Sequence, residues 1–119
     1  MPKCKVKVHI QNDEINQTTE VDAIFQENKI KYMEDDHTIV TFNYQNHTLT
    51  RENENLRMNY QFDENKGEIE MKEYHRILPI SLKTNQIKEN NKNIEIHFLV
   101  EENQFIYGIE EIIWVSLKI

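Results

Sequence analysis

Large apolar residues fall on every second position through most of this chain. From Leu56 the order is Leu56-Arg57-Met58-Asn59-Tyr60-Gln61-Phe62, then the polar run Asp63-Glu64-Asn65-Lys66-Gly67, then Glu68-Ile69-Glu70-Met71. Successive side chains of a strand point to opposite faces, so this predicts two strands, each with one dry and one wet face. The polar run ends in Gly67, which can supply the positive φ that many hairpin loops need. The two arms are therefore expected to pair antiparallel about residues 63–67.

The same alternation recurs in residues 3–10, 18–26, 30–34, 37–44, 47–51, 77–83 and 94–100. Polar turns separate these segments, among them Asn12-Asp13, Asn28-Lys29, Glu34-Asp35-Asp36, Gln45-Asn46 and Asn90-Asn91-Lys92-Asn93. With only two glycines and two prolines in the chain, the turns must rely on Asn and Asp, which tolerate left-handed backbone. Pro79 inside an alternating run points to an edge or a bulge. The last segment, 104–119, fits two templates. Ile109, Ile112, Ile113 and Leu117 also suit helical spacing, but the β-branched and aromatic content favours a strand. No other long window fits a helix. Nine or ten short strands imply a sandwich or a closed barrel, and short meander connections favour the barrel, because closure removes exposed edges. The expected fold is all-β: a single up-and-down barrel of about 8–10 antiparallel strands.

At 119 residues the chain is expected to form one domain, 1–119, around one core. Fourteen Lys and Arg stand against 21 Asp and Glu, a net charge of −7. That balance argues against nucleic acid, which needs basic surface, and against docking to an anionic membrane. Cys4 is the only cysteine, so no disulfide forms within the chain and a reducing compartment suits it. The first residues lack the apolar run of a signal sequence, and the apolar stretch near 112–117 is too short to span a bilayer. A soluble cytoplasmic protein is the expectation.

Candidate chemistry is sparse. His9, His37, His47, His75 and His97 show no metal-ligand spacing and no cysteine to join them, so they read as surface histidines. Cys4, on the apolar face of its strand, reads as a small buried hydrophobe. Glu110-Glu111 reads as a turn or an exposed edge, with Gly108 before it marking a bulge or bend. No catalytic group, metal site or cofactor is expected. Glu34 and Arg51 stand apart from the rest. Glu34 shares a face with Ile30 and Tyr32, and Arg51 with Leu49, so both charges lie on inward faces near strand ends. A charge there must be paired or solvated. In a meander their strands lie two spacings apart, roughly 10 Å, and end at the same rim. A Glu34–Arg51 contact is expected, either as a plain rim pair or as the anchor of a ligand's polar group. Tyr32, Tyr60 and Tyr74 are candidates to add hydroxyls to it. Ile112, Ile113, Trp114 and Val115 carry large side chains for both faces of one strand, which requires cover from within the chain or from a second copy.

The order of residues from Thr19 onward resembles the YwiB-like family of bacterial calycin-like barrel proteins. The resemblance rests on Tyr32-Met33-Glu34, Arg51, Met58-Asn59-Tyr60, Tyr74, Thr84-Asn85-Gln86-Ile87 and Ile94-Glu95-Ile96. It spans roughly four-fifths of the chain. Two positions depart from the family pattern: His75 stands where a glycine follows the tyrosine, and Ala23 lies where a glycine is usual before Phe25. The resemblance implies an up-and-down barrel shaped like lipocalins and fatty-acid-binding proteins, and it implies no activity. Two functions stand open. One is binding of a small, partly apolar ligand inside the barrel. The other is protein interaction or self-association through the outer face and the apolar C-terminus. An enzyme is not expected, since no nucleophile–base pair is visible.

Overall fold

Ten antiparallel strands close into one barrel in simple sequence order: β1 Pro2–Gln11, β2 Asn16–Gln26, β3 Lys29–Met33, β4 Ile39–Asn43, β5 Thr48–Glu52, β6 Leu56–Gln61, β7 Lys66–Met71, β8 Arg76–Asn90, β9 Asn93–Val100 and β10 Asn103–Ser116. Each strand pairs with the next, and β10 returns to β1. This computed structural model describes residues 2–34 and 37–116, with side chains from 3 to 34 and from 37 to 110. No helix among the described residues is long and apolar enough to cross a membrane.

Strict alternation builds the wall. In β3, Ile30 and Tyr32 are buried while Lys29, Lys31 and Met33 are exposed; in β9, Ile94, Ile96 and Phe98 are buried. Register then joins inward residues into rows. One row runs Cys4–Ala23–Tyr32–Val40–Arg51–Met58–Ile69–Leu78. Its first members are buried, whereas Leu78 is exposed. The row climbs towards a rim because the strands are tilted, as closure of a barrel requires. The large residues expected inside are there: Phe42, Tyr60, Phe62, Ile96 and Phe98 are buried, and Val8, Phe25 and Met58 pack against them.

Several local expectations are corrected. The hairpin after β6 does not use Gly67 for its turn. Phe62–Glu64 form a 3-10 turn, and Asn65 takes the left-handed conformation with φ 54°. Gly67 sits opposite Tyr60, where an added Cβ would lie 3.3 Å from the tyrosine ring, so its lack of a side chain makes room for that ring. Left-handed residues elsewhere include Asn28 and Asn91, but also His37, His47 and His75. His75 thus adopts, at φ 51°, the backbone that the family's glycine would favour. β8 runs eight residues beyond Leu82, to Asn90. Thr84 pairs with Phe98 and Gln86 with His97, so Asn85 is an extra residue that reverses the alternation. Glu110 lies in neither a turn nor an edge: it is within β10, paired with Lys7. The bulge there falls at Ile112, between the partners of Val6 and Lys5, not at Gly108. Pro79 lies in the part of β8 that pairs with β7 alone, because β9 reaches only to Leu82.

The two ends of the barrel differ. At one end, the turn between β4 and β5 reaches across to the β8–β9 hairpin. The Tyr44 hydroxyl donates to the Lys92 carbonyl at 2.9 Å, and His47 meets Glu89 at 2.6 Å. Behind these contacts Phe42 lies edge-on to Tyr44, with ring centres 5.0 Å apart. Deeper still, Phe62 packs on Phe98 at 4.9 Å. The other end carries the β1–β2, β3–β4, β5–β6, β7–β8 and β9–β10 connections and is open.

Candidate functional site

A cavity of about 510 Å³ occupies the open end. Its depth is walled by Val8, Val21, Val40, Leu49, Phe98 and Phe105, contributed by β1, β2, β4, β5, β9 and β10. Its opening has a cause in the register. Residues 16–22 of β2 pair with β1 only, since β3 pairs with β2 from Ala23 onward. The β1–β2 hairpin therefore stands clear of β3, and Gln17 and Thr19 line the cavity alongside Met33 and Glu34.

Glu34 closes β3, and a tight turn holds its backbone. Its N–H donates to the Thr38 carbonyl at 2.8 Å, and its carbonyl accepts from the His37 N–H at 3.1 Å. The carboxylate turns inward and meets Arg51 in a two-pronged contact, Nη2 to Oε2 at 2.7 Å and Nε to Oε1 at 3.2 Å. Planar guanidinium and carboxylate match in this geometry, which fixes both orientations. About a third of each side chain is accessible. Burial acts to lower the Arg51 pKa, but the hydrogen bond and charge of Glu34 outweigh it and leave Arg51 more firmly protonated than an ordinary arginine. Arg51 Nη1 points at the Met58 sulfur, 4.0 Å away, a weak acceptor.

Three tyrosines surround this pair. Tyr32 and Tyr107 are buried and share a hydroxyl–hydroxyl hydrogen bond of 2.7 Å. Burial raises the pKa of both, so both stay neutral. Tyr60 is held neutral in the same way, with the Arg51 charge opposing the shift. That opposition places Tyr60 within electrostatic reach of Arg51, and register puts them on adjacent strands with their side chains on the same face.

Of the residues anticipated from sequence, Tyr32, Glu34, Arg51 and Tyr60 come together on one cavity wall. Tyr74 does not join them. It ends the 3-10 turn between β7 and β8 and is 70% exposed, outside the cavity lining. It sits in the corner that leads into β8, whose first residues pair with β7 alone among the described residues. Sequence reading missed Tyr107, although it alternates in phase with Ile109 on β10. It also missed Gln17 and Thr19, which share the phase of Val21 and Ala23 on β2 but are polar, so no apolar pattern marks their face as inward. β10 continues as a strand to Ser116, but the side chains of Ile112, Ile113, Trp114 and Val115, the expected contact surface, lie outside the described residues.

His47 departs from the surface role expected of it. Its Nδ1 faces Asp63 at 2.9 Å and its Nε2 faces Glu89 at 2.6 Å. Burial acts to lower its pKa, yet the two carboxylates prevail and raise it. Among the described residues, no three His, Cys, Asp or Glu side chains are grouped to hold a metal ion. A second hollow, outside the barrel, lies beside Gly108, with His9 and Glu95 among its lining residues. Glu95 there is already engaged by His97 at 2.8 Å and Lys88 at 3.8 Å.

No family model and no curated protein matches the chain. Among solved structures the fold is similar to one described as the crystal structure of ywiB protein from Bacillus subtilis, with a TM-score of 0.52. The two are 15% identical, and the match covers 98% of this chain and 92% of that one. At that identity the likeness shows the shared barrel fold, which is the fold the sequence resemblance implies.

Proposed function

We propose that this protein is a binding protein, not an enzyme, and that it holds one small, partly apolar molecule in the open end of its barrel. The observation that carries this reading is the cavity of about 510 Å³, apolar in its depth and bearing the Glu34–Arg51 pair on its wall. Its size is that of small-molecule sites, and its composition follows their usual pattern of apolar walls with a few placed polar groups. Apolar surface left in contact with water inside the barrel is costly, and an apolar ligand removes it. Glu34 and Arg51, fixed against each other, then meet the polar end of the guest. The acidic composition and single cysteine favour a cytoplasmic setting without nucleic acid or membrane partners.

Self-association is the second reading. Ile77 and Leu78 are exposed on the part of β8 that has a strand on one side only. A free strand edge flanked by apolar side chains is a ready surface for another chain. Native mass spectrometry of protein purified from its own host separates the two. A monomer carrying an added mass of a few hundred daltons, lost on denaturation, supports the ligand reading. An unliganded dimer overturns it in favour of the second.

A further inference from the structure

We infer that the ligand's head group is an uncharged hydrogen-bond acceptor, such as an amide, ester or ketone carbonyl, and that Glu34 sets this preference by excluding carboxylates. This rests on the cavity-binding reading above and adds the chemistry of the guest. A guanidinium carries more N–H groups than one carboxylate can engage. Glu34 takes Nε and one side of Nη2, while Nη1 has only the Met58 sulfur at 4.0 Å. The Tyr60 hydroxyl, on the same wall, has no hydrogen-bond partner among the described residues. Two donors on adjacent strands of that wall thus lack a strong acceptor. A ligand oxygen lodged between them satisfies both.

The charge of that oxygen is decided by Glu34. The Glu34–Arg51 pair is already neutral. A ligand carboxylate would put a second anion against one guanidinium in a site walled mainly by apolar side chains. Its desolvation would then be only half compensated. The protein's net charge of −7 further opposes the approach of an anion. A carbonyl accepts the same two hydrogen bonds without that penalty.

The test uses an uncharged fluorophore, N-phenyl-1-naphthylamine, as a reporter of the cavity. It is displaced by decanamide or by decanoate at about pH 8, where the acid is ionised. The expected result is that decanamide displaces the reporter at a concentration at least tenfold lower than decanoate. Glu34→Gln removes the carboxylate charge and should narrow that ratio at least tenfold, or reverse it. Equal or tighter binding of decanoate by the wild-type protein overturns the head-group assignment while leaving the cavity reading intact. Failure of the fluorophore and of both decanoyl compounds to bind overturns the cavity reading and the assignment with it. The wild-type ratio decides the question even if the Glu34→Gln protein does not fold.

Discussion

The two ends of this barrel are built from the same alternating strands and differ in what the turns do. At the closed end, turns fold across the lumen. Tyr44 reaches Lys92, His47 reaches Glu89 and Asp63, and Phe62 fills the space beneath. At the open end, the contacts between turns among the described residues join only neighbours, such as Lys72 with Glu52 and Asn53 with Thr38. The β1–β2 hairpin and the β7–β8 corner each extend past a neighbouring strand, and the lumen is left to Glu34, Arg51 and the cavity. The lesson is a division of labour along the barrel axis. On the proposed function, stability should concentrate where aromatic side chains plug the lumen, and binding where no such plug exists. Substitutions at the two ends should therefore separate stability from binding.

The sharpest attempt to break that division is Phe62→Ala. Phe62 is 1% exposed and packs on both Phe98 and Tyr60. Truncating a buried aromatic removes its transfer free energy and leaves a void, together about 3–5 kcal/mol. Urea denaturation should show a loss of that size. A loss under about 1 kcal/mol would mean that the closed end is not the stable one.

Most of this arrangement is legible in the amino-acid sequence, and what the sequence hides is hidden for physical reasons. Inward rows follow from alternation, which is local, so Ile30, Phe42, Tyr60 and Phe98 could be placed from spacing alone. The Glu34–Arg51 contact followed from phase and meander order together. The extension of β8 was hidden by Asn85, because one extra residue in a strand inverts which side chains point in. β10 also carries an extra residue, Ile112, between the partners of Val6 and Lys5, within the stretch whose spacing suits a helix as well as a strand. The role of His47 was hidden for another reason. Its partners, Asp63 and Glu89, lie 16 and 42 residues away: the pairing of β5 with β6 sets Asp63 beside it, and the curl of the sheet brings in Glu89 from β8, three strands further on.

That histidine offers a second, smaller test, one that acts through pH. His47 takes φ 52°, a conformation that asparagine also tolerates, so His47→Asn removes the imidazole with little backbone strain. The folded state raises the His47 pKa, which means the charged ring is stabilised by folding. That contribution is complete at pH values below the unfolded pKa of about 6.5 and is lost as pH rises through the higher folded value. The wild-type protein should therefore exceed His47→Asn by about 1 kcal/mol near pH 5.5, and the gap should close above the folded pKa. Thermal melts across that range measure it. A gap that widens as pH rises would show that the ring is neutral in the fold and that the closed end is held without it.

The smallest effect on stability belongs to the pair at the open end, and that smallness is the point. Glu34 and Arg51 meet in good geometry, but about a third of each side chain is accessible, and ion pairs so placed contribute about 0–1 kcal/mol. Arg51→Met keeps an apolar stem beside Met58 and Leu49 while removing the charge, and it leaves the Glu34 carboxylate able to turn towards water at the rim. Its melting temperature should lie within a few degrees of wild type, because a change below 1 kcal/mol shifts a domain of this size by roughly that much. Binding should behave oppositely. Without Arg51 the cavity wall loses the donors aimed at a polar head group, and any molecule that co-purifies with the wild-type barrel should be absent from the variant in native mass spectra. If instead Arg51→Met melts far below wild type, the pair supports the fold and the two ends share one role. If the variant melts normally and still carries the same guest, the polar pair is a rim ornament and the apolar wall alone selects what enters.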